Sequence, residues 1–132
     1  MRSEQLSDTG ILRQREDCFS DWLLIAENMA YPVMVAEKWD KVPKTELIDW
    51  LVSWVSDTIK IRFSADTLFF YNPDFIQPLQ KVAQQLELSC LYRLYDHLLN
   101  IRQQLEMQLN FQVMLEEILA RWQELNRRNL NG

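Results

Sequence analysis

Glycine, proline, cysteine and histidine are all scarce in this chain, at two, four, two and one among 132 residues. Scarce glycine excludes a fold of many tight hairpins and favours long helices, where glycine is a penalty. It also leaves no GxxxxGK[ST], GxGxxG or GxSxG segment, so the phosphate-cradling loops and nucleophile elbows of those kinds are absent. Cys18 and Cys90 stand far apart with no CxxC, too few for a zinc site or a disulfide framework. They read as two buried free thiols in a reducing compartment.

A positive pole is missing as well. The formal net charge is −5, with 8 basic and 11 acidic residues in positions 1–65 and 6 and 8 in positions 66–132. Phosphate backbones are held mainly by Lys and Arg, so direct nucleic-acid binding is not expected. The longest apolar stretch, "WLVSWVS", is far below the roughly 20 residues a membrane span needs. "MRSEQLSDTG" has no apolar centre of a signal peptide. A cytoplasmic protein without membrane contact is expected.

What is present is apolar bulk and helix-forming residues. The chain is 48% hydrophobic and 25% charged, with five tryptophans, and a domain of this size can bury roughly two-thirds of its unfolded surface. Cys18, Trp22, Ile25 and Met29 recur at helical spacing after "SDTG", with Phe19, Leu23 and Ala26 beside them. Arg15 and Asp21 fall among the polar residues covering that helix. Pro32 opens a short helix, "PVMVAEKWD", and Pro43 a third, over 44–62, with Glu46 early and Lys60 and Arg62 late. A fourth is expected over 75–86. Ser89 is read as the cap of a fifth, whose apolar face is Leu91, Leu94, Leu98, Ile101 and Leu105. Asn110 is read as the cap of the last, which presents Phe111, Met114, Leu115, Ile118, Trp122 and Leu125. No segment has period 2. The fold class is all-α, a single compact bundle of five to six helices over 11–127. Residues 1–10 are expected to be disordered or an added N-terminus, and 128–132 a frayed tail.

Chemistry is sparse. His97, in "YRLYDHLLN", reads as a surface histidine on a polar face; general-base work needs a partner that the sequence does not identify. Glu116 and Glu117 lack the Glu-x-x-His repetition of di-metal bundles and read as solvated charges. Neither a metal nor another cofactor is expected. The run from Leu91 to Leu105 is too short for a coiled-coil seam. Tyr92 and Tyr95 with Arg93 and Arg102 look like stacking rings beside base, but the acidic balance supplies no positive groove. Trp50 and Trp54, four apart and in line with Leu47 and Leu51, read as core anchors, and Trp39 as a lock between the short helix and the third. An abundance of Trp, Tyr, Met and Arg suits protein contact surfaces.

The order of segments carries a resemblance. "MVAEKWDK", then "ELIDWLVSWVSDTIKIRF", "TLFFYNPD", "PLQKVAQQL" and "CLYRLYDHLLNIRQQLEMQLNFQVMLEEILARW" together resemble the C-terminal domain of the bacterial DNA polymerase III delta-prime subunit. The register of several weak motifs carries the likeness, over roughly residues 12–125. The resemblance implies a collar domain of the clamp loader, the ATP-driven pentamer that opens the sliding clamp and places it on primed DNA. Its expected role is non-catalytic oligomerisation, with tau/gamma and delta as partners, within the DNA polymerase III holoenzyme. The family's ATPase module, zinc element and trans-acting arginine have no counterpart in these residues. The alternative is an unrelated helical adaptor or regulator that binds a partner helix in a groove. Under either reading, Phe69, Phe70, Tyr71, Tyr92, Arg93 and Asn100 are the expected partner contacts, and the isolated domain is expected to pair weakly with itself.

Overall fold

A computed structural model describes residues 9–63 and 70–131, with side chains described for 10–63 and 70–127. The described residues form six α-helices and no strand: α1 Thr9–Ala26, α2 Pro32–Trp39, α3 Lys44–Phe63, α4 Ile76–Ala83, α5 Leu88–Gln103 and α6 Phe111–Asn131. Short 3-10 turns, Pro73–Phe75 and Leu105–Met107, lead into α4 and follow α5. The all-α bundle expected from the helical periods is the observed fold. Residues 1–8 and 132 lie outside the described residues, as do the side chains of 128–131, so the expectations for the two chain ends fall there.

Local chemistry explains most boundaries. Pro32 and Pro43 sit at the starts of α2 and α3, where a missing N–H costs nothing. The Asn110 side chain accepts from the Val113 N–H at 3.1 Å, the cap expected for α6. Two boundaries differ from the sequence reading. α1 stops at Ala26 because Asn28 adopts φ 62°, a left-handed conformation asparagine tolerates. The Asn28 N–H then bonds the Ile25 carbonyl and the Met29 N–H that of Leu24, a Schellman ending. Met29 therefore leaves the apolar face it was assigned to and stands 72% exposed. α5 begins at Leu88, with Glu87 at the cap position and no side-chain capping bond, so Ser89 lies inside the first turn rather than capping it.

The helices pack as two groups. α3 lies against α5 and α4, while α1 and α2 lie against α6; α5 and α6 join the groups. Aromatic rings fill the centre. Trp22 stacks on Trp122 with centroids 4.2 Å apart and approaches Trp39 and Trp54 at 6.4 and 6.1 Å. Phe19 stacks on Phe75 at 3.8 Å and meets Trp54 edge-on. Trp122 donates its Nε1–H to the Trp22 carbonyl at 2.9 Å, a bond across 100 residues of sequence. Trp54 is fully buried with Leu47 and Leu51, as their spacing implies; Trp50, at the same spacing, is only half-buried at the edge of the core.

Trp39 locks α2 to α1, not to α3. Its Nε1–H donates to Asp21 Oδ2 at 3.2 Å, and Lys38 Nζ reaches the same carboxylate at 3.0 Å. Asp21, expected on the polar cover, is thus 7% exposed because two donors on α2 offset its burial. Cys18 sits one turn earlier on α1. Burial, with Asp21 adding to it, pushes its thiol up to about 12. Thiolate is the reactive form, so a thiol reagent should modify the half-buried Cys90 in the folded protein and reach Cys18 only on unfolding. Two thiols titrating at equal rates under native conditions would contradict this packing.

Candidate interaction surfaces

The segment after the undescribed residues 64–69 is fastened by a polar clasp. Asp57 on α3 is fully buried and accepts from the Tyr71 N–H at 3.0 Å, the Asn72 N–H at 2.7 Å and Asn72 Nδ2 at 2.8 Å. Asn72 Oδ1 accepts in turn from Arg15 on α1 at 2.7 Å, and the same guanidinium grips Asp74 through both nitrogens at 2.9 and 3.1 Å. Arg15 also lies over the Phe75 ring, 4.3 Å from its centroid, so it ends a stack with Phe75 and Phe19. The Arg15 bond holds the Asp74 carboxyl below the usual carboxylate range. Every donor and acceptor named here faces a partner within the domain, which makes the clasp a device for placing a segment and not an open binding site.

Of the expected contact residues, Phe69 lies outside the described residues and Phe70 is half-buried. Tyr71 is 67% exposed, its backbone held by Asp57 and its ring capped by Lys60 Nζ at 4.0 Å. Tyr92 on α5 is exposed and its ring lies 6.3 Å from that of Phe63. Lys60 and Phe63 are one turn apart on α3, so the structure brings Tyr71 and Tyr92 to the same end of that helix. Arg93 is exposed and opens instead onto α6, at the rim of a groove of 460 Å³ floored by Leu94 and Leu125. Asn100 is exposed about 12 Å further along α5, two turns beyond Tyr92. The five described residues among them do not form one patch.

His97 differs from the sequence reading. It is wedged between α5 and α6 with only part of the ring exposed, and Nε2 lies 3.5 Å from Glu117 Oε1 without hydrogen-bond alignment. Burial, aided by the Arg121 charge and opposed by Glu117, lowers its pKa from 6.5. Glu117 itself is exposed and paired with Arg121 at 3.3 Å. A histidine whose folded pKa is depressed binds its proton more readily in the unfolded chain. Its contribution is therefore complete above pH 6.5 and is lost as pH falls from 6.5 through the lower folded value. Stability measured by urea denaturation should decline over that window, and His97→Gln should flatten the decline. An unchanged slope in the variant would show that His97 does not carry it.

Two surfaces escaped the sequence reading. The α1–α2 turn and outer face of α2 expose Met29, Tyr31, Val33 and Met34, each by more than half. α2 is apolar on both sides, so its period could not separate the inward Val35, Ala36 and Trp39 from the outward Val33 and Met34. At the α5–α6 junction, Met107, Leu109 and Val113 are exposed around a shallow recess of 670 Å³. There the buried Leu105, in the 3-10 turn, and Phe111, at the start of α6, flank outward neighbours across the break between the two helices, where a 3.6-residue period does not run through.

No group of three or more His, Cys, Asp or Glu is placed to hold a metal ion among the described residues. No helix among them is long and apolar enough to cross a membrane. Among the described residues, the conspicuous surface features are apolar faces on a small helical bundle. The family model described as DNA polymerase III, delta subunit, C terminal, matches residues 10–124, and the chain belongs to that family, a family of clamp-loader subunit domains. The clamp-loader assignment implied by the sequence resemblance therefore holds, although the family description names delta where the resemblance named delta-prime, a related but distinct subunit. Neither the curated proteins nor the solved structures searched contain a match to the chain.

Proposed function

We propose that this chain is the collar domain of a delta-prime-type clamp-loader subunit, a non-catalytic oligomerisation module that holds its subunit in the loader through contacts with tau/gamma and delta. The observation that carries the proposal is membership of a clamp-loader subunit family over residues 10–124. The apolar faces at α2 and at the α5–α6 junction agree with it, because exposed patches of this kind mark protein contacts. Family membership also favours this reading over an unrelated helical adaptor. The delta-prime assignment rests on the "MVAEKWDK" and "ELIDWLVSWVSDTIKIRF" stretches and their order with the later helices.

Co-purification tests both levels. The chain should be retained with tau/gamma and delta together at native salt. Retention by tau/gamma and delta-prime, with delta excluded, would assign it to delta instead. A folded chain retained by none of these subunits would refute the assembly role.

A further inference from the structure

We propose that the groove between α1, α4 and α6 is a peptide site, which holds a short extended segment of a partner protein with its backbone against Asn126. At its start α4 is fastened to α1 by the Phe19–Phe75 stack and the Arg15–Asp74 pair. Beyond that anchor the two helices line a groove of 560 Å³, within the roughly 300–1,000 Å³ of ligand-binding clefts. Its apolar surface is Leu23 and Ala26 of α1 and Val82 of α4. Asn126 lines it from α6 and is only 3% exposed. The Asn126 Nδ2 donates to the Trp122 carbonyl at 2.8 Å. A carbonyl can only accept, so this bond fixes the amide and turns Oδ1 away from it. The buried oxygens of Asp21, Asp57 and Asn72 accept from donors within the domain, whereas Asn126 Oδ1 has no donor among the described residues. An amide oxygen so enclosed is costly unless a donor meets it, and a groove lined by it lets a ligand supply one.

Length, hydrogen-bonding capacity and charge select the occupant. Gln77 and Lys81 on α4 and Gln85 just after it recur four residues apart along one wall, about 12 Å from first to last at helical rise. An extended chain covers that distance in about four residues. The two glutamines and Asn126 give the groove three carboxamides, and a carboxamide offers both donors and an acceptor, as a peptide group does. The free N–H and C=O groups of an extended main chain are matched by such a wall. Charge narrows the choice further. Glu27 stands on the α1 wall and Lys81 on the α4 wall, and neither is in an ion pair among the described residues. One charge of each sign suits a segment that carries a basic and an acidic side chain around an apolar one. A phosphate strand would meet one cation and be opposed by one anion.

This inference rests on the assembly reading only for which protein carries the segment; its test uses the chain alone, so the two can fail separately. In NMR titrations, the isotope-labelled full chain is mixed with acetyl-Ala-Lys-Val-Glu-Ala-amide and, for the opposite chain direction, with acetyl-Ala-Glu-Val-Lys-Ala-amide. One of the two should shift the backbone amides of Glu27, Val82 and Gln85 and the side-chain amide of Asn126, and leave those of Met34 and Leu109 unmoved. Lys81→Glu, at an exposed position, should weaken that binding about tenfold. A peptide with lysine at both charged positions should recover it. Asn126→Ala should weaken binding about fivefold, and N-methylation of the peptide nitrogen that meets Asn126 should cost the wild type as much and the variant little. If Asn126→Ala does not fold, the charge exchange at Lys81 decides alone. No shift at these residues with either peptide at millimolar concentration would overturn the proposal. So would shifts that Lys81→Glu leaves unchanged, or concentration-dependent shifts of the same signals without peptide, which would make a second copy the occupant.

Discussion

Trp122→Ala is expected to lower the unfolding free energy by about 3–5 kcal/mol, a large share of the 5–15 kcal/mol typical of a domain. The residue is fully buried, stacked on Trp22, and is the ring whose N–H crosses from α6 to an α1 carbonyl. Removing it opens a cavity where the two helix groups meet and deletes that bond. The polar contribution can be separated from the volume. Trp22 and Trp54 are equally buried, but their Nε1–H groups have no acceptor among the described residues. An unpaired buried donor is already a cost, so Trp54→Phe should destabilise less than Trp122→Phe although each removes the same atoms. Trp50→Ala, at the core's edge, should cost least of the alanine changes. Urea denaturation midpoints for the set would check the order; a Trp122→Ala loss below about 1 kcal/mol would contradict the central stack.

Asp57→Ala is the second large effect, at about 3–5 kcal/mol, the usual cost of stripping one partner from a buried charged arrangement. The carboxylate is the shared acceptor for two backbone N–H groups and the Asn72 amide, with Lys60 Nζ 3.8 Å away. Its loss strands those donors in a dry site and frees the segment before α4. The amides of Tyr71 and Asn72 should then exchange with solvent far faster than in the wild type, while amides near Trp122 keep their protection relative to the global stability. Asp74→Ala offers the contrast. Its carboxylate is half-exposed and, although doubly bonded to Arg15, should contribute about 1 kcal/mol or less after solvent screening. Equal losses for Asp57→Ala and Asp74→Ala would show that the clasp does not depend on the buried carboxylate.

The helices were legible because each long one carries an apolar stripe at 3.6-residue spacing. The faces assigned to α5 and α6 are buried as read, Leu91 through Leu105 and Phe111 through Leu125. The Asn110 cap was legible for a local reason: the cap and the N–H it bonds are three residues apart. Asp57 was not, because the donors it serves lie 14 and 15 residues later in the chain and two of them are backbone groups that any residue could carry. Asp21 and Trp39 escaped in the same way, since their bond depends on how α2 folds back along α1. Ser89 misled because a serine before an apolar run resembles a cap, whereas the helix starts two residues earlier than that cap implies, with Glu87 at the cap position.

The contact residues were the least legible. An exposed aromatic and an inward one have the same composition, and only the packed bundle shows which side of α2 is covered. Tyr71 and Tyr92 do share one end of α3, but the larger apolar faces lie elsewhere, at Met29–Met34 and around Leu109. The clamp-loader family could be read from the order of weak segments, which resemble delta-prime where the matching family description names delta.

The assembly role is tested most directly by native mass spectrometry of the chain mixed with purified tau/gamma and delta at native ionic strength. The account predicts a complex containing one copy of the chain, with formation impaired by Met34→Glu or Leu109→Glu. Assembly of the other subunits with the folded chain left entirely free would contradict it.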